Sequence, residues 1–125
     1  MNEQPDRPQE AELMSWIIFY KAREQYEACC AKAGFLSKVI TGKETISLDG
    51  IRRAREVFLQ LGQCTYVFRL LHADLAARGL EGSERKELEE MAGGLSSLVT
   101  SAQQDLKQIL SWLPPEPSRP DQRGA

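Results

Sequence analysis

The octapeptide Leu13-Met14-Ser15-Trp16-Ile17-Ile18-Phe19-Tyr20 constrains this chain more than any other feature. Seven of its eight residues are apolar or aromatic, and it opens a long helical pattern. Successive helix residues lie about 100° apart, so five in a row take in the whole circumference. A helix packed on one side carries its apolar residues as a stripe. An all-round apolar stretch needs cover on two sides, either from a wide core within the chain or from a partner surface.

The spacing predicts three helices and no strand. Helix 1 runs from about Glu10 to Ala33 and on towards Ile40, with Gly34 as a break or kink. Its core stripe is Ala11, Met14, Ile18, Ala22, Cys29, Ala33, Leu36 and Ile40. Gly42 is the stop signal of a polar connection. Helix 2 starts near Ser47 or Asp49, either of which can cap it, and ends at Gly79. Val57, Leu61, Cys64, Phe68, Leu71 and Leu75 form its heptad seam. Helix 3 spans about Ser83, a further cap candidate, to Trp112. Its seam is Leu88, Met91, Leu95, Leu98, Ala102, Leu106, Ile109 and Leu113, with Pro114-Pro115 as terminator. Gly93-Gly94 inside it reads as a close-packing or bending point. The expected fold is all-α: three long antiparallel helices in an up-down-up bundle, assembled into a dimer. Residues 1–9 and the Pro-rich 114–125 read as disordered tails around a single helical unit at 10–113.

Helix 3 has one apolar side and a solvated one of Glu89, Glu90, Ser96, Ser97, Gln103, Gln104, Lys107 and Gln108. Helices 1 and 2 differ. Leu13, Trp16 and Tyr20 lie opposite the core stripe of helix 1, and Leu59, Gly62, Tyr66, Leu70, Ala73 and Ala77 lie opposite the seam of helix 2. Leu13, Trp16, Tyr20, Leu59, Tyr66 and Leu70 are therefore the candidate protein interface. The expected partner is a second copy of the chain or another helical protein.

Length and composition fit one ordinary globular unit: 125 residues, 42% hydrophobic and 27% charged. A net charge of −2 argues against a protein built chiefly to hold nucleic acid. Cys29, Cys30 and Cys64 are odd in number, and two are adjacent on a helix, which makes a poor disulfide framework. The one histidine, His72, cannot complete a zinc site with them, and sequence spacing sets no acid, base or nucleophile beside it. Glu10 and Glu12 precede the apolar run where an export signal would be cationic, and no stretch nears the ~20 apolar residues of a membrane span. The expectation is a soluble, cytoplasmic, non-enzymatic regulatory or adaptor protein with no cofactor, metal, membrane partner or small-molecule substrate.

Lys38, Lys43, Arg52, Arg53 and Arg55 form a basic region. It reads as a solvated face with local pairs such as Arg52–Glu56, or as a contact for an acidic partner or nucleic acid. Gly42-Lys43-Glu44-Thr45 lacks the Lys-Ser/Thr step by which a phosphate-binding loop holds magnesium. Residues 34–62 carry Leu36-Ser37-Lys38-Val39-Ile40, then Gly42-Lys43, then Ile46-Ser47-Leu48, and a helix ending in Leu61-Gly62. This segment, under a quarter of the chain, resembles the C-terminal half of a Cro/C1-type helix-turn-helix domain. It is about five residues shorter than the turn and reading helix of that family. The resemblance implies a DNA-associated transcriptional regulator, with Ser37, Lys38 and Lys43 near the backbone or bases. That is the alternative to the interaction module.

Overall fold

The structure is a computed structural model, and it describes residues 6–42 and 47–113. Three α-helices account for almost all of these: α1 (Asp6–Gly42), α2 (Leu48–Ala77) and α3 (Gly82–Leu110). Each packs against the other two. The described residues contain no strand.

Local chemistry sets most boundaries. The Gly50 N–H donates to Ser47 Oγ at 3.0 Å, and Asp49 adds a negative charge to the first turn of α2. At the far end of α2, Gly79 takes φ of +77°. The Gly79 N–H donates to Ala76 O at 3.1 Å and the Leu80 N–H to Leu75 O at 3.2 Å. This is a Schellman closure, and Leu80 tucks back onto the core.

Several boundaries differ from expectation. α1 begins at Asp6, inside the segment 1–9 assigned to a tail, and runs through Gly34 without a break. Ser83 does not cap α3: the helix starts at Gly82, and the residue at the cap position, Glu81, makes no capping hydrogen bond. α3 ends at Leu110, so Leu113 is exposed rather than part of the seam. Residues 1–5, Lys43 and the 114–125 tail with its terminating prolines lie outside the described residues.

The core is one cluster centred on Ala22, Cys29, Leu36, Leu61, Phe68, Leu75, Leu88, Leu95 and Ile109. On α1, Ala11 and Met14 leave the expected stripe and are exposed. α1 has 37 residues against 30 and 29 in its neighbours. It is longer by about 10 Å at 1.5 Å per residue, so its first turns overhang. Phe19, one position off the stripe, is buried instead. On α2 the buried row is Ile51, Ala54, Leu61, Thr65, Phe68 and Leu75, with Phe58 and His72 half-buried in the same register. Val57, Cys64 and Leu71 of the expected seam lie at its edge, half-buried.

Contacts between helices fix the register. Tyr26 meets Phe68 with ring centroids 6.4 Å apart, the Cys29 Sγ lies 3.7 Å from Thr65 Oγ1, and Arg53 sits over the Phe35 ring at 5.6 Å. Arg23 of α1 binds Glu87 of α3, and Tyr26 also reaches Gly94 of α3. A Cβ built on Gly94 would stand 3.1 Å from Tyr26 Oη, whereas one built on Gly93 meets nothing within 4 Å. Gly94 is the close-packing member of the pair.

Alanine at Gly93 should raise stability by about 0.5–1 kcal/mol through helix propensity alone. Alanine at Gly94 should gain less or lose stability, because Tyr26 must move. Urea denaturation of the two variants checks the difference, and equal gains would contradict the packing role of Gly94.

Candidate protein-interaction surface

All six apolar interface candidates are solvent-exposed in the single chain. Exposure is 56% for Leu13, 47% for Trp16, 44% for Tyr20, 57% for Leu59, 64% for Tyr66 and 54% for Leu70. A core wide enough to take both faces of α1 and α2 is not what forms. Met14, Ile17 and Val67 are exposed beside them and extend the surface. Ile17 and Val67 were missed because they sit next to their stripes rather than on them. The expected solvated side of α3 is exposed throughout.

The aromatic end of α1 is held in place from below. Arg23 Nη2 lies 2.8 Å from Glu87 Oε2, and its Nε donates to the same oxygen at 3.0 Å. The guanidinium stands 5.1 Å from the Phe19 ring centre and 5.5 Å from that of Tyr20. Tyr20 in turn meets Trp16 edge-on, with centroids 4.8 Å apart and planes at 82°. The line Glu87–Arg23–Tyr20–Trp16 runs from a carboxylate on α3 to two displayed aromatics. Cation–π and edge-to-face contacts contribute about 0.5–1.5 kcal/mol each. The line also limits the ring motion that a partner would otherwise have to arrest.

Two clefts flank the surface. Leu13 and Trp16 open onto the α2–α3 turn, where Leu80 lies, with Glu12, Glu81, Glu84 and Arg78 around them. Arg78 is already engaged by Asp74 at 3.2 Å. At the start of α2, Arg52, Arg53 and Arg55 line a second cleft with Asp49, Glu56 and Leu59. Arg52 pairs with Asp49 at 3.8 Å rather than with Glu56, and both are so exposed that the pair adds little. Lys38 is exposed near the end of α1. The turn implied by the helix-turn-helix resemblance does not form, because α1 is continuous from Asp6 to Gly42.

His72 has a neighbour that spacing could not supply: its Nε2 lies 3.3 Å from Glu89 Oε2 of α3, though out of line for a hydrogen bond. The three thiols are free, Cys29 buried and Cys30 and Cys64 half-buried. Thr65 donates to Leu61 O at 2.8 Å, and its Oγ1 also lies 3.7 Å from the Cys29 Sγ, a contact in which either atom can donate. Burial pushes the Cys29 thiol pKa up, opposed by the Thr65 contact and assisted by the neighbouring Cys64 and Cys30. The Tyr26 hydroxyl is also raised, chiefly by hydrogen bonding with Cys30 and then by burial. Among the described residues no group of three or more His, Cys, Asp or Glu side chains is placed to hold a metal ion. None of the described helices is long and apolar enough to cross a membrane.

The raised Cys29 and Tyr26 values carry a sign. A group whose folded pKa exceeds its unfolded one stabilises fully below the unfolded value and loses that contribution as pH rises through the folded one. Urea midpoints should hold steady up to about pH 8.5, the ordinary thiol value, and decline above it. Cys29→Ala should flatten part of that decline, and a midpoint that rises over this range would contradict the assignment.

Comparison with protein-family models, curated proteins and solved structures finds no match to this chain.

Proposed function

We propose that the chain is a non-enzymatic helical interaction module that acts through the exposed apolar faces of α1 and α2, by self-association or by binding a partner helix. The observation that carries this reading is the display of Trp16 and Tyr20 over the Arg23–Glu87 pair. Lone exposed apolar residues are ordinary, but an ordered aromatic pair continuous with Leu13 and Ile17 makes a patch. Tyr66, Leu70 and Leu59 extend the same character along α2.

The proposed arrangement of the helices is up-down-up. It is supported by the way α1 contacts step back along α2, from Phe68 to Thr65 to Arg53, as α1 advances from Tyr26 to Cys29 to Phe35. Against α3 they advance together, from Arg23–Glu87 to Tyr26–Gly94. A reducing, cytoplasmic setting accords with three free thiols.

Trp16→Gln combined with Tyr66→Gln tests the reading. Both side chains are about half exposed or more, so the double variant should keep its helical circular dichroism and lose little stability. Hot-spot aromatics carry about 2 kcal/mol or more each, so assembly or partner affinity should fall at least about thirtyfold. Undiminished assembly in a folded double variant would refute the reading. The DNA-regulator alternative makes the opposite demand: binding to duplex DNA at about 50 mM salt that weakens steeply as salt rises.

A further inference from the structure

We infer that the partner of the exposed apolar rows on α1 and α2 is a second copy of this chain, laid antiparallel about a twofold axis near the middle of α2. This inference rests on the interaction-module reading and adds to it a partner and an orientation.

The ground for it is how charge is distributed along the bundle. The Cys29–Thr65 contact marks its middle. On one side lie residues 10–27 of α1, 65–77 of α2, the α2–α3 turn and the first part of α3 to Gly94. This end carries ten carboxylates against six Lys and Arg side chains. On the other side lie residues 28–42, 47–64 and 95–113, with three carboxylates against six cations. One end is therefore net negative and the other net positive. Each end also has a cleft whose charge leans the same way. Leu13 and Trp16 sit among Glu12, Glu81 and Glu84 with one cation, Arg78, while Leu59 sits among Arg52, Arg53 and Arg55 with Asp49 and Glu56.

These two surfaces complement one another, yet within one chain they cannot meet. α2 alone is about 45 Å long at 1.5 Å per residue, and attraction between exposed charges fades over about 8 Å at physiological salt. Only a second molecule brings the acidic cleft to the basic one. A parallel pair would set like ends together. An antiparallel twofold pair makes the favourable contact twice. It also sets the midpoint of α2 against itself. There Gly62 is exposed, with open space where a side chain would be, and Tyr66 stands one turn away.

Charge reversal tests the inference in the full chain, with mass from light scattering and affinity from sedimentation. Arg52→Glu with Arg55→Glu should weaken the dimer about tenfold or more, as should Glu12→Lys with Glu81→Lys, because each sets like charges together twice. All four substitutions in one chain should restore affinity to within about threefold of the original, and the two singly reversed chains should pair when mixed. That mixture decides the matter if the fourfold variant fails to fold. A monomeric unaltered chain, dimers indifferent to reversal, or mass that grows beyond a dimer with concentration would each overturn the twofold antiparallel pair. Dimers indifferent to charge but dissolved by Trp16→Gln with Tyr66→Gln would leave the apolar interaction reading standing and this orientation refuted. Dimers indifferent to the aromatic substitutions would refute the reading itself.

Discussion

The row Ala22, Cys29 and Leu36 on α1 is the contact on which the rest of the bundle depends. All three are fully buried. Two are small, which lets the neighbouring helices approach α1 closely and makes Cys29–Thr65 a contact between short side chains. Close approach on this side explains why Tyr26 lies against a glycine of α3, where a β-carbon would crowd its hydroxyl. Apolar groups on the far side of α1 have no helix left to cover them, since α2 and α3 are both engaged on the near side.

Much of this was legible in the amino-acid order. Three helices, the solvated side of α3 and the second apolar faces follow from helical periodicity, because an α-helix turns a spacing in sequence into a direction in space. The α2 seam was harder. Its buried row passes through Thr65 and His72, two polar residues that interrupt the apolar signal, so the neighbouring row through Cys64 and Leu71 reads as the better seam. Thr65 is accommodated by donating to the Leu61 carbonyl of its own helix, a bond invisible to hydrophobic patterning. Ala11 and Met14 keep the right spacing but lie on an overhang. Periodicity specifies a face, not whether a neighbour extends far enough to cover it.

The candidate site divides along the same line. The exposed rows on α1 and α2 are sequence features. The Arg23–Glu87 pair that steadies Tyr20 is not, since its members are separated by 64 positions and meet only through the register of α1 on α3. The same holds for His72 with Glu89. The opposed charges of the two ends are likewise hidden in the sequence, where acidic and basic residues are interleaved and the total is only −2. The proposed up-down-up arrangement sorts them.

Apolar area and charge then have different tasks in any assembly of this molecule. The hydrophobic effect is proportional to area and indifferent to direction. A half-exposed Trp16 or Tyr66 has about 100 Å² left to bury, worth roughly 2–3 kcal/mol at ~25 cal/mol per Å². Association costs about 4–15 kcal/mol in lost freedom, so one such aromatic is insufficient and several on each of two surfaces are needed. A stripe of Leu and Tyr alone would satisfy that requirement equally well in either sense along the helix. Exposed charges add little to affinity but strongly disfavour the orientation that sets like against like. In the proposed dimer, affinity would therefore belong to the helix faces, and orientation to the ends.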